Sequence, residues 1–339
     1  RKGDQAVEKE VKRSRTQWVR LIKDNNSVLI LAVLLAVCFL FVDGYKNGFY
    51  NVIVYSSIYG VICLGLGLVM ITGNIDLSVG FQAGLAGVTT VLSFNAVYAA
   101  TGGNSTVSLI VSIVAAMLTG AVTGLLNGFV VAKIGVSPLI ATIATNYLFK
   151  GLVFNFAQSS FAPTDADAVK VIAKTKLFGL RWLTPSVMIF VAIVILLGLW
   201  MYKTRFGSRL HVVGDNPEAA AYSGISVSKT VLITYILCGV LAAVSGFLMV
   251  SFDGYTIYTQ GNSLSTFPIS CCVIGGIKMA GGKGTVVHML LGVLIMRAIS
   301  TMMSVMFLST DMVNLITGIL LVAVLIIDRF TATKSADET

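Results

Sequence analysis

Ten apolar stretches, each close to the length of a membrane-spanning helix, occupy the chain between residues 28 and 328. A bilayer core about 30 Å thick needs roughly 20 apolar residues per helix. Hydrophobic residues make up 56% of the chain and charged residues 12%, against roughly 25% charged in average soluble domains. The sequence therefore predicts an all-α polytopic membrane protein of about ten transmembrane helices, and it excludes a large soluble domain.

The distribution of positive charge predicts how these spans are oriented. The predicted spans cover residues 28–43, 51–72, 79–100, 107–132, 138–157, 184–202, 229–251, 264–280, 284–306 and 311–328. If the N-terminus is cytoplasmic, most of the 24 Lys and Arg residues fall in cytoplasmic segments, as the positive-inside rule requires. We therefore expect a multi-pass protein with both termini in the cytoplasm.

The same pattern divides the chain into three parts. Residues 1–27 form a basic arm, residues 28–330 the transmembrane domain and residues 331–339 a cytoplasmic tail. Apolar residues among the basic ones predict that the arm is either an amphipathic helix on the anionic inner leaflet or a solvated charged tail. The longest loops, 158–183 outside and 203–228 inside, are each too short to hold an ATPase or receptor domain.

Motifs of common membrane enzymes are absent from the sequence. It contains no G-x-x-x-x-G-K-[ST] run, so the chain has no phosphate-binding P-loop of its own. The two histidines, His211 and His288, have no partners at metal-ligand spacing, and neither H-E-x-x-H nor G-x-S-x-G occurs. We therefore expect no bound metal and no catalytic residue. A transporter subunit, a channel or a receptor scaffold remains.

The cytoplasmic loop 203–228 carries the signals of a short helix. Asp215 or Asn216 can act as N-cap, and Pro217 suits the first helical position. Glu218 then falls in the first turn, three alanines favour helix, and Gly224 is placed to end it. These residues predict a helix of about two turns lying parallel to the membrane. An ordinary helical linker is the alternative interpretation.

Five motifs in a fixed order resemble those of one transporter family. Thr204-Arg205-Phe206-Gly207, followed by Gly214-x-Asn216-Pro217-x-Ala219-Ala220-x-x-Ser223-Gly224-Ile225, resembles the coupling loop of the ribose/galactose/xylose-type ABC permeases. The other matching motifs are Gly73-Asn-Ile-Asp-Leu-Ser-Val-Gly80, Asn127-Gly128 with Val136-x-Pro138-x-Ile140-x-Thr142, Lys150-Gly151, and Val273-Ile-Gly-Gly276 with Gly281-Gly-Lys-Gly-Thr-Val286. The resemblance covers nearly the whole chain.

This resemblance implies a role for the cytoplasmic loop and a set of partners. In that family the short helix docks into a groove of a separate ATPase subunit. The residues to which the resemblance assigns ATPase coupling are Arg205, Phe206, Gly207, Gly214, Asn216, Pro217, Glu218, Ala219, Ala220, Ser223 and Gly224. The implied partners are a second permease subunit, identical or homologous, a cytoplasmic ABC ATPase that holds ATP and Mg, an extracytoplasmic solute-binding protein and membrane lipid, with no nucleic acid. This chain itself would bind no cofactor.

The implied function is that of a permease subunit with a type II-like ABC importer fold. It would move a monosaccharide or a similar small polar solute across the bacterial cytoplasmic membrane by alternating access. Within this function a nucleoside, an autoinducer or a polyol is an alternative cargo. A self-sufficient secondary carrier is an alternative of another class, which expects intramembrane acids and finds mainly Asp76 and Asp253 near predicted span ends.

Two glycine-rich runs, Gly73–Gly80 and Gly275–Gly284, interrupt the apolar pattern. Irregular backbone is not tolerated facing lipid, so each run either lines a path inside the protein or forms a tight turn at the cytoplasmic face. Asp76 either caps the third helix or places a polar group near an inner gate. The candidate path and gate residues are Asn74, Asp76, Ser78, Asn127, Asn146, Phe267 and Arg297.

Arg297 is a charge near the middle of a predicted span. Such a charge should face a polar cavity, a subunit interface or, if the span boundary is misplaced, solvent. The chain also departs from the family pattern nearby, because Phe267-Pro-Ile-Ser-Cys-Cys272 stands where an E-L-D-A-I-A-like run is usual. The loss of those carboxylates leaves open which solute is carried and whether the permease pair is strictly identical.

Gly120, Gly124 and Gly128 recur at four-residue spacing in the predicted span 107–132. Glycines at this spacing lie on one face of a helix and allow another helix to approach closely. The sequence therefore predicts a packing surface here, either within the chain or across a dimer axis.

Overall fold

The computed structural model describes residues 26–42, 44–157 and 161–309, with 312, 313, 315–319, 322 and 326. The helices, in chain order, are α1 Asn26–Phe41, α2 Tyr45–Ile71, α3 Val79–Ala100, α4 Ser105–Phe129, α5 Pro138–Phe156, α6 Ala166–Lys174, α7 Pro185–Lys203, α8 Arg205–Asp215, α9 Pro217–Tyr222, α10 Val227–Asp253, α11 Phe267–Gly275 and α12 Val286–Val305. A π-helical turn, Val130–Ile134, extends α4.

Seven helices of the described part are long and apolar enough to cross a membrane: α2, α3, α4, α5, α7, α10 and α12. This confirms the predicted all-α polytopic fold class. Helix α1 is apolar but has only 16 residues, fewer than the roughly 20 that a span needs. The predicted span 311–328 is described only at scattered residues, and residues 1–25 of the arm and the tail 331–339 lie outside the described residues.

The prediction of a spanning helix over residues 264–280 is wrong. Helix α11 has only nine residues, which at 1.5 Å per residue is about 13 Å and too short to cross a bilayer core. It ends at Gly276, whose φ of 106° favours glycine because other residues rarely adopt it. Residues 276–285 then run without helix to α12. The prediction of one span rested only on the hydrophobicity of these residues.

The core is built around α2 and α10. Helix α10 packs against α4, α2 and α3, while α2 also contacts α12, α7 and α11. Almost every side chain of α2 from Val61 to Ile71 is buried. These two helices therefore hold the other elements in place.

The segment predicted as the outer loop 158–183 contains helix α6, which is anchored to the core. Asp165 caps it, accepting hydrogen bonds from the Ala168 amide and from the Ser105 hydroxyl at the start of α4. Both donors hold the pKa of the Asp165 carboxyl below its ordinary value. Ser251 of α10 donates to the Val169 carbonyl oxygen at 2.6 Å, so α6 is fixed to α10.

Gly120, Gly124 and Gly128 of α4 pack against α10 of the same chain. A Cβ atom at Gly120 would overlap the carbonyl oxygen of Gly239, and one at Gly239 would overlap that of Gly120. Helices α4 and α10 therefore touch backbone to backbone, and any side chain at this crossing forces them apart.

We expect Gly120→Val to lower the free energy of unfolding by about 1–3 kcal/mol or more, because overpacking shifts the backbone. Gly151→Val is the matched control, since a Cβ at Gly151 meets nothing within 4 Å. Thermal unfolding in mild detergent measures both variants. Equal midpoints for the two would contradict the close contact of α4 with α10.

Candidate functional site

Helix α9 is the short helix predicted in the 203–228 loop. Asn216, not Asp215, is its N-cap, and the Asn216 Oδ1 atom accepts the Ala219 amide at 3.0 Å. The helix ends at Gly224, which has a φ of 79°. The Ile225 amide reaches back to the Ala220 carbonyl oxygen at 3.0 Å, which completes a Schellman-type C-cap.

One side of α9 is anchored and the other is free. Ala220 is completely buried, whereas Pro217, Glu218 and Ala219 are exposed. Tyr222, which the sequence analysis did not select, is 92% exposed. It stands four residues after Glu218 and so lies on the same face. Large exposed aromatic side chains of this kind are typical of protein contact sites.

Helix α8 was not predicted. Its Phe206, Leu210 and Val213 recur at helical spacing and face the core, which is the signal that could have revealed it. The Phe206 ring stacks on Trp200 of α7 with ring centroids 4.6 Å apart. Gly207 lies directly on the backbone of Met201. The loop is therefore two packed helices with α9 at the tip.

A contact that we call the glycine junction, formed by Gly73, Gly214, Gly281 and Gly282, joins α8 to both glycine-rich runs. A Cβ at Gly214 would overlap the Ile71 carbonyl oxygen, and one at Gly281 would lie 2.7 Å from the Gly73 Cα atom. The Gly282 amide donates to the Ile71 carbonyl oxygen at 2.9 Å.

His211 of α8 adds a further link to this junction, because its Nδ1 atom lies 2.9 Å from the Gly282 carbonyl oxygen. Backbone therefore touches backbone at a point where α2, α8 and the 276–285 segment meet. Helix α8 is therefore packed directly against both of these segments.

Asp76 is the centre of a buried polar cluster, the Asp76 network, with Ser78, Gln82 and Asn127. Asp76 Oδ1 accepts the Ser78 amide at 2.8 Å and the Ser78 hydroxyl at 2.7 Å. Asp76 Oδ2 accepts Gln82 Nε2 at 2.9 Å and Asn127 Nδ2 at 3.1 Å. Asp76 and its three partners are all fully buried. The carboxylate thus satisfies the start of α3, although Ser78 and not Asp76 is the N-cap residue.

The Asp76 network keeps the irregular backbone between α2 and α3 inside the protein. The Tyr235 hydroxyl of α10 donates to the Ile75 carbonyl oxygen at 3.0 Å. Gly80 lies against the backbone of residues 261–265. In the Gly73–Gly80 run, Asp76 and residues 78–80 are therefore buried, Asn74, Ile75 and Leu77 are half-buried, and Gly73 is exposed.

The predicted path residues do not form one cluster. Asp76, Ser78 and Asn127 come together, but Asn74 bonds back to Thr72 at 3.0 and 3.1 Å. Asn146 lies apart on α5. The Oδ1 atoms of Asn146 and Asn127 are buried without a hydrogen-bond partner.

Phe267 and Arg297 meet in a second place, together with two tyrosines of α2. The Cζ atom of Arg297 lies 3.9 Å from the ring centroid of Tyr59, 4.2 Å from that of Phe267 and 6.0 Å from that of Tyr55. We call the three rings the aromatic cage. Arg297 lies inside α12, so the alternative of a misplaced span boundary is wrong.

The aromatic cage offsets the cost of placing this charge in the span but does not supply its hydrogen bonds. An arginine at the centre of a span costs about 2.5–3.5 kcal/mol on insertion scales, and a desolvated cation–π contact contributes about 2 kcal/mol or more. Ring faces attract the positive charge but leave the in-plane N–H donors without acceptors. Within the described chain no hydrogen bond satisfies Arg297, and its Nε atom is buried and unpaired.

A bundle of apolar spanning helices, with partly buried irregular segments between them and a capped helix exposed at one end, is the architecture of the membrane component of a transport system. The chain belongs to the family of branched-chain amino acid transport system / permease components, whose family model matches residues 48–325. No solved structure matches the chain.

The chain is similar to several import permeases. It is 30% identical to the L-arabinose transport system permease protein AraH of Escherichia coli (strain K12), over 94% of each chain. It is 33% identical to the galactose/methyl galactoside import permease protein MglC of Haemophilus influenzae, over 83% of this chain and 86% of the relative. It is 30% identical to the autoinducer 2 import system permease protein LsrC of Enterobacter sp. (strain 638), over 80% and 76%. The family inferred from the motifs is confirmed, and the chain is an ABC importer permease subunit.

Proposed function

We propose that this permease subunit carries a monosaccharide or a similar small polar solute into the cell, driven by a separate ATPase. Relatives whose names specify arabinose, galactose and autoinducer 2 support this solute class. The observation that carries the proposal is helix α9, which is fixed on one side and exposes Glu218, Ala219 and Tyr222 on the other. A separate subunit that binds this face can move α8 with it.

Each end of the helix bundle is assigned to a different partner protein. A cytoplasmic ATPase, which holds ATP and Mg, docks on α9, and the chain itself binds no cofactor. A solute-binding protein delivers solute at the opposite end, where the 161–183 segment is anchored through α6. A second permease subunit, identical or homologous, completes the path. In this arrangement both termini are cytoplasmic and the protein lies in the bacterial cytoplasmic membrane.

The proposed mechanism is alternating access, driven through the glycine junction. When the ATPase pair closes on ATP, it displaces α9 and α8. The junction passes this displacement to residues 72–78, which carry the Asp76 network, and to residues 276–285, which connect α11 to α12. Packed interiors shift between discrete arrangements and do not deform continuously. The path therefore opens on one side and closes on the other.

We expect the double variant Glu218→Arg/Ala219→Trp to abolish uptake, because bulky side chains on the exposed face of α9 block ATPase docking. Both residues are exposed, so the free energy of unfolding should change by less than about 0.5 kcal/mol. ATPase recovered with the tagged chain and uptake in membrane vesicles are measured together.

The matched control is Ala99→Arg/Ala100→Trp, which places the same side chains on exposed positions at the far end of α3. This control should retain the ATPase, because its substitutions lie at the end of the bundle opposite α9. Normal ATPase recovery and normal transport in the Glu218/Ala219 variant would remove the docking proposal.

A further inference from the structure

The in-plane nitrogens of Arg297 are the unexplained donors of this structure. The guanidinium lies in the corner formed by the Tyr59 and Phe267 rings, whose centroids are 6.4 Å apart. No nitrogen of Arg297 makes a hydrogen bond in the described chain. The residue as a whole is half-buried, and its Nε atom is buried without a partner. The two terminal nitrogens are therefore not fully buried and have no hydrogen-bond acceptor in the described chain.

Among the residues that the structure describes, no acid pairs with this charge. The groups that interact with Arg297 are Tyr55, Tyr59 and Cys63 of α2, and Cys271 and Phe267 of α11, all of which are uncharged hydrogen-bonding or aromatic side chains. Among the described residues, an ion pair joins Lys170 to Asp167 in the 161–183 segment and does not involve Arg297.

One acid near the tyrosines of the cage is Asp253, the last residue of α10, and its carboxylate already has partners. Gln260 Nε2 donates to its Oδ2 atom at 3.1 Å, and Lys174 interacts with its charge. A planar guanidinium with unpaired donors is the side chain that best fits a carboxylate, which it binds through two parallel hydrogen bonds.

A row of aromatic rings connects the cage to the loop end of the bundle. The Tyr55 ring is 5.2 Å from that of Phe252, and Lys174 Nζ lies 5.3 Å from the centroid of Phe252. Cations therefore stand at both ends of a continuous aromatic row. The segment that supplies Lys174 also carries Lys170, Lys176 and Arg181 against two aspartates, so the approach favours an anion.

We propose that Arg297, held in place by the Tyr59 and Phe267 rings, binds a carboxylate of the transported solute. The solute is then a sugar acid and not a neutral sugar. This inference rests on the proposed import function and names the class of solute. Arg297 is a binding residue in this assignment, and Phe252 and Lys174 mark the route by which the anion arrives.

The test compares uptake of hexoses and pentoses with that of their uronic and aldonic acids, galactose and galacturonate among them. The complete importer is assayed in membrane vesicles with wild type, Arg297→Gln and Arg297→Lys. We expect wild type to prefer an acid and Arg297→Gln to lose about tenfold or more of that uptake, because hydrogen bonds to a charged group are lost. Arg297→Lys should lose less, because it keeps the charge. Lys46→Gln, an exposed cation of α2, is the control.

Thermal unfolding of the purified chain with the same sugars, at matched ionic strength, separates the two proposals. Stabilisation by an acid that disappears in Arg297→Gln, without ATP-driven uptake by wild type, would remove the import function and keep the subsite. ATP-driven uptake of neutral sugars alone, or uptake of an acid that is equal in wild type and Arg297→Gln, would overturn the subsite and keep the import function.

Discussion

Gly214→Ala is expected to abolish ATP-driven uptake while ATP hydrolysis by the docked ATPase continues. A Cβ at this position overlaps the Ile71 carbonyl oxygen and lies 2.5 Å from the Gly282 nitrogen. These are the two atoms of the hydrogen bond that closes the glycine junction. The substitution therefore forces α8 away from α2 and from the 276–285 segment. The free energy of unfolding should fall by about 1–3 kcal/mol because of overpacking and by about 0.5–1.5 kcal/mol because the hydrogen bond is lost.

The measurement for Gly214→Ala takes uptake and ATP hydrolysis from the same vesicles, so that uncoupling is distinguished from loss of the complex. Gly198→Ala in α7 is the matched control, because a Cβ there meets nothing within 4 Å. Uptake at the wild-type rate in Gly214→Ala would show that movement of α8 does not reach the path through this junction.

Asp76→Ala is expected to destabilise the membrane domain strongly. It removes the acceptor of four hydrogen bonds, from the Ser78 amide, the Ser78 hydroxyl, Gln82 and Asn127. Each buried donor left without a partner costs about 1–3 kcal/mol. We therefore expect the free energy of unfolding to fall by more than about 3 kcal/mol. Asp76→Asn keeps one acceptor oxygen and should lose less.

Unfolding in detergent and the yield of folded protein measure the Asp76 variants. Asp167→Ala is the control, because that carboxylate is exposed and contacts only Lys170, one turn away. A stability of Asp76→Ala equal to that of the control would mean that the network does not hold the 72–78 segment in place.

Local signals in the sequence predicted α9 well. Asn216, Pro217 and Gly224 act within one or two turns, so their cap, first-turn and stop positions do not depend on distant residues. Helix α8 was missed for the opposite reason. Glycine has a low helix propensity, whereas in the fold Gly207 and Gly214 are the points where α8 touches the backbone of α7 and α2. Only the partner explains why glycine stands there.

The error over residues 264–280 has a similar origin. Apolar composition predicts burial but does not predict how long a helix is. Gly276 ends α11 after nine residues. Tyr55 and Tyr59 were not selected as site residues either. Their relation to Arg297 depends on α2, α11 and α12 meeting in space, which no local pattern encodes.

The sequence by itself determined the class of fold, seven of the membrane-spanning helices, the capped helix α9 and, through its ordered motifs, the permease family. These follow from hydropathy, cap chemistry and short motifs, which are local properties of the chain. Only the tertiary structure decided that Gly73, Gly214, Gly281 and Gly282 form one junction, and that Arg297 meets three rings and no acid among the described residues. Such contacts join residues far apart in the chain, and they are selected by packing and by the need to satisfy buried polar groups.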